Sequence, residues 1–344
     1  MNRRKFLELG AAGSVASIAG CLGGAQSGET NGNLRDMDYS LLSAKFTNPL
    51  FFTGANEGVW EESGINLEVS INSTERDFQA LQNEEVNVND INQSTFINAI
   101  EAGEDHVLVA PHEKLVNGVF VREDSDIESP EDLEGRSVGV PFWDSGTTYL
   151  IGSMFDQEYD IDLREDVDAT SANPSVLWEA LVEQEDLDAI LQFTNYTIRG
   201  RADDSVREIF DPAEWWREET GEMALITYKA VRREWIEEPE NAQLIVDFLE
   251  GWGNTIDTFL ESPEEYMDRF GELGGFSTEA ETNLTTDIFR DGALPEPESW
   301  DEDYIDNQFE MMDMIGESGF VDNVPDPAET TMTHSDILEI ANNN

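Results

Sequence analysis

The 344-residue chain carries 75 acidic and 19 basic side chains, a formal charge of −56, and a single cysteine. With no basic patch to displace phosphate counterions, nucleic acid is excluded as a partner, and one cysteine excludes a disulfide framework. The acidic residues are dispersed, from Glu61 and Glu62 through Asp203 and Asp204 to Glu296 and Glu298, and lysine is reduced to Lys5, Lys45, Lys114 and Lys229. Dispersion favours adaptation to a very salty milieu over a concentrated cation-binding surface. At about 1 M salt the Debye length is roughly 3 Å, so self-repulsion is screened while the carboxylates keep the surface solvated.

The opening residues, "MNRRKFLELGAAGSVASIAGCLGG", combine a basic start, a short apolar run and small residues before Cys21, the three parts of an export signal. The run from Leu9 to Gly20 is shorter than the roughly 20 residues a bilayer span needs. Arg3-Arg4 followed by Lys5-Phe6-Leu7 resembles the twin-arginine export motif, and Ile18 to Cys21 resembles a lipoprotein box, in which the cysteine is lipidated and becomes the N-terminus. The other reading of Cys21 is a buried thiol in a small-residue helix. Residues 1–20 are thus expected to be a signal peptide and 21–35 a flexible tether, since "GGAQSGETNGN" has almost nothing apolar to bury. About 300 residues remain, too many for one core of ordinary size, so two lobes are expected.

"MDYSLLSAKF" predicts a first strand. "PLFFTGANEGVWEESG" predicts a helix with Phe52, Ala55 or Asn56, and Val59 on one face and Gly64 at its end, and the alternation in "INLEVSI" predicts a half-buried strand. Helix over "TERDFQALQNEEV", strand at "NVNDI", helix over "QSTFINAIEAGE" and strand at "HVLVA" follow. This order implies a mostly parallel sheet covered on both faces. After "GVFVRED" and a short helix in "IESPEDLEG", a second series begins: strand "SVGV", helix "SGTTYLIGSMFDQE", strand "VDAT", helix "PSVLWEALVEQ", strand "LDAILQF", helix "NYTIRGRADD" and strand "VREIFD". "MALITYKAVRREW" reads as a return strand. Beyond Glu238 the chain is mainly helical, with Leu244, Phe248, Gly251 or Trp252, Ile256 and Leu260 forming one stripe, and a last helix covers "YIDNQFEMMDMIGESG".

The run "VREDSDIESPEDLEGRSVGVPFWDSGTTYLI", preceded by "SAKFTNPLFFTGANEGVWEESGINLEV" and followed by "VLWEALVEQEDLDAILQFTN", resembles the solute-binding lipoproteins of ABC importers, of the nitrate, sulfonate, taurine and thiamine-precursor type, in a haloarchaeon-like organism. The resemblance implies an α/β fold of the two-lobed type II periplasmic-binding-protein kind, with a hinge and an interlobe cleft. Lobe 1 would comprise residues 36–121 and 225–344, and lobe 2 residues 122–224.

The resemblance points to four loops at strand ends as ligand-binding: Lys45 to Asn48; Asn92, Gln93 and Ser94; Asp144 to Thr148, with Ser145, Thr147 and Thr148; and Gln192 to Asn195. Each has a local alternative. Ser145 or Asp144 can cap the following helix without touching ligand, Lys45 can form a salt bridge to nearby carboxylates, and Asn92 or Asn195 can serve turns and caps. Asp144 would repel an anionic ligand head unless it caps the helix itself. Trp143, following Pro141 in an exposed break, either lines the cleft or packs. His106, His112 and His334 lack the spacing of a metal site, so no metal and no cofactor are expected, although His112 and Glu113 follow a strand that reaches toward the cleft.

The implied function is capture of a small organic solute by lobe closure and delivery to an ABC permease and its ATPase. The receptor would be a monomer held at the extracellular face of the membrane through Cys21 after twin-arginine export, and not an enzyme. The alternatives are a pyrimidine-synthase-like or menaquinone-pathway-like enzyme on the same fold, or a surface sensor without a transporter. The pyrimidine synthases use a cysteine-rich motif that this chain lacks.

Overall fold

A computed structural model describes residues 34–42, 45–72 and 79–343. The expected signal peptide with Cys21, nearly all of the tether and part of the helix over "TERDFQALQNEEV" lie outside the described residues.

The strands in chain order are β1 (Arg35–Leu42), β2 (Ile65–Asn72), β3 (Asn89–Asn92), β4 (His106–Lys114), β5 (Gly118–Arg122), β6 (Ser137–Val140), β7 (Asp168–Ser171), β8 (Ala189–Gln192), β9 (Val206–Phe210) and β10 (Leu225–Arg232). Among the helices, α1 (Asn48–Glu57), α2 (Val59–Glu62), α3 (Gln93–Glu101), α4 (Gly146–Tyr159), α5 (Pro174–Val182), α6 (Thr194–Arg201) and α7 (Pro212–Thr220) alternate with them. Then α8 (Arg233–Ile236), α9 (Pro239–Glu261), α10 (Pro263–Phe270), α11 (Glu279–Arg290) and α12 (Glu302–Glu317) follow the last strand.

The strands fall into two groups. In the first, β1 pairs in parallel with β2, and β10 lies antiparallel between β3 and β4. A bridge between Tyr39 and Val88 and a 3.0 Å bond from Asn87 N to Asp38 O link β1 to the start of β3. In the second, the order is β7-β6-β8-β5-β9, with β6 parallel to β7 and β8, and β5 antiparallel to β8 and β9.

Mostly parallel pairing is therefore a correction: each group contains one strand running against its neighbours, β10 in one and β5 in the other. Both are entered straight from a passage between the groups. Alternating strands and helices imply parallel neighbours within a βαβ series, but carry no information about a strand delivered by a crossing. The two passages are joined where Leu115 N donates to Ala224 O at 2.8 Å.

Three further expectations change in detail. α1 stops at Gly58, whose φ of +78° suits a residue without Cβ, and its buried side holds Leu50, Phe51, Thr53 and Gly54 instead of the Phe52 face. β2, which among the described residues pairs only with β1, buries Ile65 but leaves Val69 and Ile71 exposed on the same face. In α9 the stripe through Leu244, Phe248, Gly251, Trp252 and Ile256 is buried as expected, but it ends at Phe259, with Leu260 turned to solvent.

The α9 stripe closes the core beside β1. Phe51 stacks on Trp252 at 4.5 Å and tilts against Tyr39 at 4.6 Å, while Trp60 stacks on Phe248 at 5.6 Å. Offset aromatic packing of this kind adds about 0.5–1.5 kcal/mol per pair beyond the area buried. It also builds an apolar wall around one charged group.

Candidate functional site

Four strand-to-helix junctions meet here: β1 to α1, β3 to α3, β6 to α4, and β8 to α6. Open α/β sheets place binding loops at the carboxyl ends of strands. Contacts between the two strand groups run through these junctions. Ser94 Oγ donates to Asp144 O at 3.1 Å. Asn117, in the first passage, donates to Thr147 Oγ1 at 3.0 Å and accepts from Thr194 N at 3.3 Å. A Cβ at Gly146 would stand 3.3 Å from Asn92 Cγ, so the start of α4 can approach the start of α3 because residue 146 lacks one.

At the centre is Asp90 on β3. Its Oδ1 accepts from Tyr39 Oη at 2.5 Å and Lys229 Nζ at 2.8 Å, and its Oδ2 accepts from Lys45 Nζ at 2.7 Å. His112 Nε2 lies 3.0 Å from Oδ2 and 3.2 Å from Thr47 Oγ1, and its Nδ1 lies 2.9 Å from Lys229 Nζ. Lys229, as an ammonium, can only donate to Nδ1, so the histidine proton sits on Nε2. The third N–H of Lys229 goes to Tyr39 Oη at 2.7 Å. Its Nζ, 0 % exposed, stands 4.7 to 5.6 Å from the ring centres of Trp252, Tyr39, Phe51 and Phe248.

Burial sets the titration of this cluster against its charges. Burial opposes ionisation of Asp90, but His112, Lys229 and Lys45 outweigh it and hold the carboxyl well below its ordinary range. Burial, joined by the repulsion of Lys229 and Lys45, overcomes the pull of Asp90 and pushes His112 down to about 3, so it is neutral at pH 7. Lys229 is pushed down to about 8 by burial, with Asp90 opposing. Glu113, buried at the end of β4, is raised by burial against the pull of Lys45, 3.9 Å away. Its Oε1 accepts from Thr194 Oγ1 at 3.3 Å.

The expected residues divide clearly. Lys45 reaches the cluster at 8 % exposure. Asn48 holds the Leu42 and Leu273 carbonyls. Asn92 caps α3, accepting from Thr95 N and Ser94 Oγ at 2.9 Å each. Ser145 caps α4 through Thr148 N at 3.2 Å, which leaves the exposed Asp144 side chain no capping role. Thr147 binds Asn117, and Thr148 Oγ1 donates to Phe142 O at 2.7 Å. Trp143 and its neighbour Phe142 are exposed on the same loop, and Phe142 has a φ of +59°. The Phe142 carbonyl accepts from Ser145 N, Ser145 Oγ and Thr148 Oγ1 together, which fixes that conformation.

Two residues point elsewhere. Gln93 Nε2 donates to Leu225 O at 2.5 Å inside the core, and Gln192 Nε2 donates to Pro174 O at 3.1 Å beneath α5. Asn195 reaches across to Gly274 O at 2.9 Å. Asp90, Lys229, Tyr39 and Asn117 were not expected from sequence, whereas Thr47 and Thr194 fall inside the expected loops Lys45 to Asn48 and Gln192 to Asn195. The available signal was a lysine in the apolar strand "LITYKAV" of a chain with only four. Among the described residues, no group of His, Cys, Asp or Glu is placed to hold a metal ion, and no helix is long and apolar enough to cross a membrane.

The fold recurs in solved structures. The aliphatic sulphonate binding protein SsuA of Escherichia coli superimposes with a TM-score of 0.69 at 15% identity, covering 86% of this chain and 91% of that one. The alkanesulfonate-binding SsuA of Xanthomonas axonopodis pv. citri, bound to MOPS, gives 0.65 at 11% identity over 87% and 98%. A Candida albicans gene product described as having the generic periplasmic binding protein fold gives 0.64 at 12% over 87% and 97%. The chain thus has the α/β periplasmic-binding-protein fold expected from its sequence. No curated protein matches the sequence. Residues 48–266 match the family model described as NMT1/THI5 like, and with well over half of its length so matched the chain belongs to the NMT1/THI5-like family.

Proposed function

We propose that this protein is the extracytoplasmic solute receptor of an ABC importer. Residues 36–121 with 225–344 form one lobe and residues 122–224 the other. They close over a small organic solute, sulfonate-, taurine- or thiamine-precursor-like, and present it to a membrane permease and its ATPase. The observation that carries this reading is the convergence of junctions from both strand groups on Lys45 and Glu113, through Asn117, Thr147 and Thr194. A solute seated there touches both groups at once, so binding favours the closed arrangement by its differential contacts. No bond is made or broken. Lys229 has every N–H engaged and both ring nitrogens of His112 are bonded, so neither is free to serve as a nucleophile or base.

In this reading residues 1–20 direct twin-arginine export, Cys21 carries the lipid, 21–35 tether a monomeric receptor to the outer face of the membrane, and the acidic surface serves a salty milieu. The ligand-facing residues are Lys45, Ser94, Thr147 and Thr148, with Trp143 at the rim. Titration of tryptophan fluorescence in high salt with sulfonates, taurine, nitrate, pyrimidines and amino acids tests it. A saturable change for one solute class, weakened in Trp143→Ala, is expected; no response to any class overturns the receptor reading. Labelled lipid should attach to the wild type and not to Cys21→Ser, and attachment to the variant overturns the anchor.

A further inference from the structure

Lys45 and Lys229 share one carboxylate but differ in what remains. Lys229 commits all three N–H donors. Among the described residues the Lys45 ammonium makes one hydrogen bond, to Asp90, and the residue is 8 % exposed. Its next acceptor, Glu113 Oε2, is 3.9 Å away, beyond hydrogen-bond reach. Glu113 is also buried and is braced from the opposite strand group by Thr194. Lys45 and Lys229 against Asp90, with His112 neutral, leave one positive charge, and an ionised Glu113 cancels it.

Resting on the receptor reading above, we propose that Glu113 is the specificity-determining residue of this site. Its carboxylate, beside the under-bonded Lys45 ammonium, selects solutes that carry an amine cation next to their anionic group over plain anions. An anion that takes the spare donors of Lys45 comes within about 4 Å of Glu113 and is repelled; an ammonium two carbons from the anionic group turns that repulsion into an ion pair. Such a solute adds no net charge to a buried cluster already balanced, whereas a plain anion leaves one uncompensated charge in a poorly solvated place.

Matched pairs differing only in the amine test this: taurine against ethanesulfonate and β-alanine against propanoate, titrated calorimetrically into wild type and Glu113→Gln in high salt. Wild type should bind the amine-bearing member at least tenfold more tightly. Glu113→Gln should reduce that ratio at least tenfold, while Glu113→Asp, which keeps the charge, retains the preference. A wild type that prefers the plain anions, or binds neither member of either pair, overturns the proposal, as does a folded Glu113→Gln with its amine preference intact. Should the Gln variant not fold, the wild-type ratio still decides. A fluorescence response to plain anions or to another solute class would leave the receptor reading standing while Glu113 lost its role.

Discussion

The ammonium of Lys229 lies 4.7 Å from the ring centre of Trp252, inside a ring wall and wholly out of water. A cation is stable there because Asp90, Tyr39, His112 and the ring faces replace its hydration. Removing the cation leaves Asp90 buried with Lys45 as its remaining charged partner. Lys229→Met should therefore lower stability by about 3–5 kcal/mol, the usual cost of breaking a buried pair, read by denaturant unfolding in high salt. A loss below 1 kcal/mol would mean that the cluster relaxes or hydrates.

Lys45 offers the contrast. Its ammonium retains unfilled donors, so Lys45→Gln should weaken solute binding at least tenfold while destabilising the fold less than Lys229→Met. Calorimetric titration beside unfolding curves separates the two effects. Equal stability losses with unchanged affinity would place both lysines in a purely structural role.

His112 provides a pH signature. Its folded pKa of about 3 lies below the ordinary 6.5, so between these values the unfolded chain binds a proton that the folded chain does not. Stability then falls as the pH drops from about 6.5 toward 3, by up to about 1.4 kcal/mol per pH unit for this one proton, and is unaffected by His112 above that window. The stability of wild type minus that of His112→Gln should decline over this window and stay level at higher pH. A flat difference throughout would show that His112 titrates normally in the fold.

Phe142 occupies the left-handed region, where a side chain is strained, and is 44 % exposed. Phe142→Gly should relieve the strain and raise stability by roughly 0.5–1 kcal/mol. If the loop is held in this shape for binding, the same change should weaken the fluorescence response to solute. Loss of stability would assign Phe142 a packing role that its exposure does not suggest.

The dispersed carboxylates predict a fold that needs salt. Transfer from about 3 M salt to dilute buffer should lower the melting temperature by more than 10 °C through unscreened repulsion. An unchanged melting temperature would overturn the salt-adaptation reading.

The strand and helix order was largely legible because each βα unit writes its own local pattern: "SVGV" before Pro141, and Ser145 before an amphipathic run. So were the four junctions, since they follow from that order. The occupants of the junctions were less so. Gln93 and Gln192 stand where a ligand donor would stand, yet their amides meet backbone carbonyls in the interior, and only tertiary packing decides which way such a side chain turns. Asp90 and Lys229 are brought together by the register of β3 on β10, across 139 residues of chain, and neither has a local motif. Ser145 and Asp144 competed for one cap, and the backbone turn at Phe142 gave it to Ser145.

The bond between Leu115 and Ala224 makes the two passages of the chain a single narrow ribbon, although more than a hundred residues separate them in sequence. Sliding one strand group past the other would shear that bond, whereas folding about an axis through it would not. In the receptor reading, bending about this hydrogen-bonded pair would be the soft coordinate, and a graft that lengthened one passage alone should skew it.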